Sequence, residues 1–246
     1  MKKISRWLKA AADILAPRTC IVCEDRLNLD EERLCLHCLA GLPLTYFWSR
    51  HHNIMADRFN EMVQKRCCDS DSWEERYIYA TALFFYSEDT SYRNILLGLK
   101  YHGDTWLGIF FGRMLGKRMA SCSWFCDVDA IVPVPLHWRR RWTRGYNQAE
   151  IIARGIAEEL GIPVQTDILH RKKHTMTQTR LSVEDKEKNV SDAFEAVFRE
   201  DIRHVLLVDD VFTTGSTLMA CFVALRFVFP PSVRISVATL GFVGGG

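Results

Sequence analysis

Two kinds of apolar pattern alternate along the second half of the chain. Short apolar runs at Ala130–Val134, Val205–Val208 and Val233–Leu240 read as strands. Between them, over Asn147–Leu160 and Ser216–Val228, apolar residues recur at helical spacing. Gly161 ends the first of these helices and Pro230–Pro231 the second, and Val164–Leu169 returns as a strand. Upstream, a strand-like run from Ile78 to Tyr86 leads into helical stretches at Tyr92–Tyr101 and Trp106–Ala120. Alternating β and α units with strands that lack a polar face predict the α/β class, with a parallel sheet covered on both sides. Ligands of such sheets bind beyond the carboxyl ends of the strands.

The first 76 residues have a different texture. Ile4, Trp7, Leu8, Ala11, Ala12 and Leu15 step by three and four, which predicts a lead helix over residues 1–16 that Pro17 stops. Lys2, Lys3, Arg6 and Lys9 make it basic, while Lys9 and Asp13 interrupt the apolar core a secretion signal needs. Docking on the protein itself and resting on a membrane or partner both suit such a helix. Residues 17–45 carry paired cysteines, residues 46–76 read as a polar, irregular connector, and residues 77–246 form the α/β domain. No apolar run reaches the ~18 residues of a membrane span, so the expected compartment is the cytoplasm.

A formal net charge of +2 is too small to argue for nucleic acid by itself. The charge is uneven, however, with Arg139, Arg140, Arg141 and Arg144 in one cluster. Cysteine usage changes the picture more. Cys20/Cys23 and Cys35/Cys38 form two C-x2-C pairs separated by eleven residues. Four thiolates in two knuckles are the usual closed shell of a structural zinc. A redox role for one pair does not explain two. Cys67, Cys68, Cys122, Cys126 and Cys221 lack that pattern and read as structural or free.

The most informative segment is VLLVDDVFTTGSTL, Val205 to Leu218. A buried strand is followed by two carboxylates, then by a hydroxyl-and-glycine loop that opens a helix. Thr213, Thr214, Gly215, Ser216 and Thr217 offer successive backbone N–H groups and hydroxyls at a helix N-terminus, a receptor for a phosphate. Asp209 and Asp210 accept hydrogen bonds from vicinal hydroxyls such as those of ribose, and favour cationic character at an anomeric carbon. A Walker-type loop needs a lysine after the glycine, which is absent here.

This segment resembles the phosphoribosyl-pyrophosphate (PRPP) motif of type I phosphoribosyltransferases, and the chain around it is similar to the ComF/GntX family. IVPVPLHWRRRWTRGYNQAE (Ile131–Glu150), RKKHTMTQTRLSVEDKEKNVSDAF (Arg171–Phe194) and the paired cysteines carry that wider likeness. The resemblance implies a type I phosphoribosyltransferase fold with a small N-terminal four-cysteine zinc module. It implies Mg2+ bound with PRPP, and transfer of phosphoribosyl to a nitrogen acceptor that no residue specifies. It also implies a link to competence and DNA uptake. On that view the pocket is a sensor or relic, and single-stranded DNA or uptake-machinery proteins are the partners.

By the same resemblance Arg144, Gly145 and Asn147 take the pyrophosphate side, with Arg139 in support. Trp138, Trp142 and Tyr146 interleave with these arginines, so a platform for single-stranded nucleic acid and a solvated basic loop remain open readings. Residues 172–191 are long for a connection and suit a lid over the ligand or an ordinary surface loop. Gln178, Arg180 and Asn189 match family positions there. Lys186 stands where the family has arginine, keeping charge but losing bidentate geometry.

Overall fold

A computed structural model describes residues 13, 16–68, 75–101, 103–136, 144–172 and 193–244. Four parallel strands make the sheet: β1 (Ala80–Phe85), β2 (Ala130–Pro133), β5 (His204–Phe212) and β6 (Arg234–Phe242), in the order β1-β6-β5-β2. β3 (Leu169–Arg171) and β4 (Phe194–Ala196) pair antiparallel apart from it. The helices are α1 (Leu36–Ala40), α2 (Ile54–Cys68), α3 (Arg93–Tyr101), α4 (Thr105–Met119), α5 (Gln148–Leu160) and α6 (Ser216–Val228).

The all-apolar strands are explained by helices on both faces. Met55, Ala56, Phe59 and Val63 of α2 join Leu218, Cys221, Phe222 and Leu225 of α6 over Val205, Leu207 and Val237. On the other face Leu96 and Leu99 of α3, Phe111 of α4 and Ile152 of α5 cover Leu206, Val208 and Ala238. Each such fully buried side chain contributes ~1.5–3 kcal/mol of transfer free energy. α4 and α5 touch backbone to backbone: a Cβ on Gly112 would lie 2.4 Å from the Ile152 carbonyl oxygen, and one on Gly155 as close to that of Ile109.

Three expectations change. Within the expected connector, residues 54–68 form α2, which buries its apolar face in the core. Its apolar positions are diluted by Arg58, Glu61, Lys65 and Arg66, which hid the period. Asn53 starts it by accepting from the Ala56 N–H at 3.0 Å and donating to the Ala80 carbonyl at 3.0 Å. The expected strand Val164–Leu169 reduces to one parallel bridge, Val164 to Ile131, and the chain pairs instead at Leu169–Arg171 with β4. Finally, β5 does not stop at Val208. It continues through the two aspartates, because β6 keeps pairing with it as far as Phe212–Phe242.

The lead helix, except for Asp13, and most of residues 172–191 lie outside the described residues. No helix among those described is long and apolar enough to cross a membrane.

Candidate functional site

The carboxyl end of β5 carries the first site. β2 pairs with β5 only up to Val208, so Asp209 and Asp210 sit where one neighbouring strand has ended and the other continues. The Asp210 N–H donates to Asp209 Oδ1 at 2.8 Å. Burial, then the Asp210 carboxylate, push the Asp209 pKa up to about 8, against the pull of that N–H and of Lys100. The carboxylates are therefore unlike. Burial favours the neutral form of Asp209, while Asp210 Oδ2 lies 3.0 Å from Lys100 Nζ in an ion pair.

Immediately downstream comes the hydroxyl loop. Thr213, Thr214, Ser216 and Thr217 are exposed and Gly215 is buried. Gly215 has φ +80°, and a Cβ there would fall 2.7 Å from Phe212 Cζ, so only glycine fits the turn. Thr214 Oγ1 lies 3.0 Å from Ser216 Oγ and accepts weakly from the Ser216 N–H at 3.4 Å. Helix geometry leaves the first-turn N–H groups of α6 without intrahelical partners. Hydroxyls and amides are thus presented to solvent beside a carboxylate pair, a set that can grip a sugar phosphate.

A second segment packs on the end of α3. Arg144 lies over the Tyr101 ring, its Cζ 5.0 Å from the centroid, and donates to Gln148 Oε1 at 3.0 Å. Tyr101 follows Lys100 at the end of α3, so Arg144 packs on the residue next to the one that pairs with Asp210. Gly145 has φ +76°. Asn147 is the N-cap of α5, accepting from the Ala149 N–H at 3.2 Å and donating to the Val134 carbonyl at 2.9 Å. Arg139, Gln178, Arg180, Asn189 and Lys186 lie outside the described residues.

No sequence motif marks Lys100 or Tyr101. A lysine in the last turn of an amphipathic helix is an ordinary partner of the helix dipole, so no local signal marks it.

The second site is the cysteine module. Its four ligand atoms, from Cys20, Cys23, Cys35 and Cys38, lie within 4.8 Å of one another. A tetrahedron of zinc–thiolate bonds of ~2.3 Å sets sulfurs ~3.8 Å apart. Cys23 Sγ and Cys35 Sγ are 3.7 Å apart, so the four cysteines can hold a structural zinc. Burial raises the Cys20 thiol, but the backbone N–H groups of Cys23, Cys35 and Val22 outweigh it and bring the pKa to about 7. Between the knuckles, the Glu31 carboxylate accepts from the Asn28 N–H at 2.6 Å and the Leu36 N–H at 2.8 Å. Those two amides hold its pKa below the usual range.

The module docks on α3. Asn94 Nδ2 donates to the Ile21 carbonyl and Tyr92 Oη to the Cys38 carbonyl, each at 3.0 Å. The helix that offers Lys100 at one end is therefore anchored to the cysteine module at the other. Of the remaining described cysteines, Cys122 and Cys221 are buried and Cys126 is exposed, all without a disulfide.

No protein-family model matches the chain. Among known proteins it is 31% identical over 205 residues to "Competence protein F" of Haemophilus influenzae, covering 81% of this chain and 86% of that protein. It is 39% identical over 90 residues to "DNA utilization protein YhgH" of Salmonella typhi, and 38% over 90 residues to the Escherichia coli K12 protein of the same name. Those two matches cover 37% of this chain and 40% of each relative. With a parallel α/β sheet, a four-cysteine cluster, and identity to a competence protein F over most of both chains, this chain belongs to the competence protein F (ComF) family.

Proposed function

We propose that the chain is a DNA-uptake or DNA-utilisation factor that binds PRPP, or a related ribose phosphate, at the carboxyl end of β5. The DNA half of this reading is carried by the likeness to competence protein F across 81% of the chain. The ligand half is supported by the aspartate pair and the hydroxyl loop standing next to one another on β5 and α6. Asp209 and Asp210 take the ribose hydroxyls, Thr213–Thr217 the 5′-phosphate, and Arg144, Gly145 and Asn147 the pyrophosphate side.

Mg2+, which the resemblance implies, needs few protein ligands. The four cysteines are the one metal-type cluster among the described residues. Bound together with PRPP, Mg2+ would need at most Asp209 or Asp210 from this chain and would supply charge neutralisation there.

A second reading, turnover, is favoured by the two unlike carboxylates. In that reaction the bond from C1 of the ribose to pyrophosphate breaks, with the electron pair leaving on oxygen. The lone pair of an acceptor nitrogen closes the new bond and its proton passes to solvent. Asp210, as the charged partner, stabilises the cationic sugar between the two events.

Three assays on the full chain separate the parts. Labelled single-stranded DNA titrated at two salt concentrations should bind, and more weakly at high salt. PRPP with Mg2+ should raise the melting temperature, and Asp209→Ala with Asp210→Ala should abolish the rise. Pyrophosphate release against a panel of bases and amines distinguishes catalyst from sensor. No DNA binding removes the first half of the proposal, and no thermal shift at millimolar PRPP removes the second.

A further inference from the structure

We propose that Lys100 is a pyrophosphate-binding residue, parked on Asp210 until the ligand arrives; this rests on the PRPP reading above. Its ammonium lies 3.0 Å from Asp210 Oδ2, with only 22% of the lysine side chain and 15% of the aspartate side chain exposed. A cation so placed stands at the sugar end of the site. Its neighbour Tyr101 carries Arg144 on its ring, which marks the pyrophosphate end. Lys100 is thus the link between the residues that meet ribose hydroxyls and those that meet the diphosphate. The group joining those two parts of PRPP is the oxygen on C1.

The charge inventory agrees with this location. Burial favours the neutral form of Asp209, so Lys100 and Asp210 stand against each other as a cation and an anion. When ribose hydroxyls donate to Asp210, the carboxylate no longer needs the ammonium as its sole partner. Lysine carries three donors on a flexible four-carbon stem, so the ammonium can swing to an oxyanion without moving α3. α3 itself stays fixed, because Tyr92 and Asn94 tie its first turn to the Cys38 and Ile21 carbonyls of the cysteine module.

The test compares two ligands on the full-length protein by calorimetry: PRPP with Mg2+, and ribose 5-phosphate, which lacks the pyrophosphate. Lys100→Met should weaken PRPP about tenfold or more while leaving ribose 5-phosphate nearly unchanged, and Lys100→Arg should recover part of the loss. Equal loss for both ligands makes Lys100 a structural residue and overturns the assignment, as does no loss for either. Should Lys100→Met fail to fold, Lys100→Gln reads the same ratio. A wild type that binds ribose 5-phosphate no less tightly than PRPP leaves Lys100 without a ligand and sinks the assignment alone. A wild type that binds neither sinks the pocket itself.

Discussion

The two ends of β5 hold buried titratable side chains under opposite arrangements. At the amino end His204 is fully enclosed, with Nδ1 2.9 Å from Asp127 Oδ1 and Nε2 2.8 Å from Ser236 Oγ. Asp127 can only accept, so Nδ1 carries the proton and Nε2 accepts from the serine. Arg234 holds the far side of Asp127, and Asp129 accepts from the His204 N–H at 2.9 Å. The distances match a serine–histidine–aspartate hydrolase triad. Yet Ser236 is only 1% exposed in the middle of the sheet, so no substrate reaches it. At the carboxyl end Asp210 pairs with Lys100, Asp209 accepts from the Asp210 N–H, and their loop opens to solvent. Polar groups that satisfy one another hold a fold together. Polar groups left short of partners at an open edge are where a ligand fits.

The cysteine module falls on the open side of that comparison, since four thiols gathered within 4.8 Å form a shell that an ion can fill. It gives the largest expected effect. Elemental analysis should find one zinc per chain, and a strong chelator should unfold residues 17–45, because structural zinc supplies roughly 10 kcal/mol or more to such modules. Loss of far-ultraviolet signal and a fall in melting temperature are the readouts. A metal-free protein with an unchanged melting curve would place the cysteines with the self-satisfied groups instead.

The closed end comes next in size. His204→Ala leaves a cavity, strips Ser236 of its partner and leaves Asp127 to Arg234, which should cost ~3 kcal/mol in urea unfolding. Acid should do part of the same work in the wild type. Burial lowers the His204 pKa from 6.5 to about 4, against the pull of Asp129. A depressed imidazole contributes its stability in full above 6.5 and loses it as pH falls toward 4, roughly 3 kcal/mol across that window. Unfolding free energies at pH 7 and pH 4.5 should therefore converge in His204→Ala relative to wild type. If the variant keeps the wild-type acid slope, His204 is not what closes this end.

How far each region could be seen in the sequence follows from how its parts are spaced. The cysteine pairs and the Asp209–Thr217 segment are contiguous, so residue spacing alone shows the geometry. Ser216–Val228 stands as expected for the same reason, its apolar face uninterrupted and its start fixed by Gly215. Lys100 meets Asp210 from another helix, and His204 meets Asp127 and Ser236 from other elements, and no local pattern announces either contact. α2 was hidden because an amphipathic helix with charges at 58, 61, 65 and 66 looks polar until the sheet supplies its apolar partner. The hairpin of β3 and β4 depends on pairing across residues 172–193, which a reading of short runs does not reach.

The smallest effect is the most discriminating, because its sign is opposite to that of His204. Asp209 has its pKa raised by burial, so the folded protein holds a proton that the unfolded chain releases above the ordinary 3.8. Stability at this end is therefore lost as pH rises from about 4 toward 8, where the histidine end is fully stable. Asp209→Asn removes the cost of the charge and keeps the shape, and should stabilise the protein at pH 8. Water at the open edge and the Lys100 ammonium limit the gain to about 1 kcal/mol or less. The same variant should lose most of the PRPP-induced thermal shift, since a carboxylate that gives up its proton on binding accepts ribose hydroxyls on both oxygens, whereas an amide accepts on one. Gain in stability with loss of ligand is the signature of a residue kept for binding. A variant that is less stable at pH 8 and still binds PRPP would make Asp209 a second His204, and β5 would then be closed at both ends.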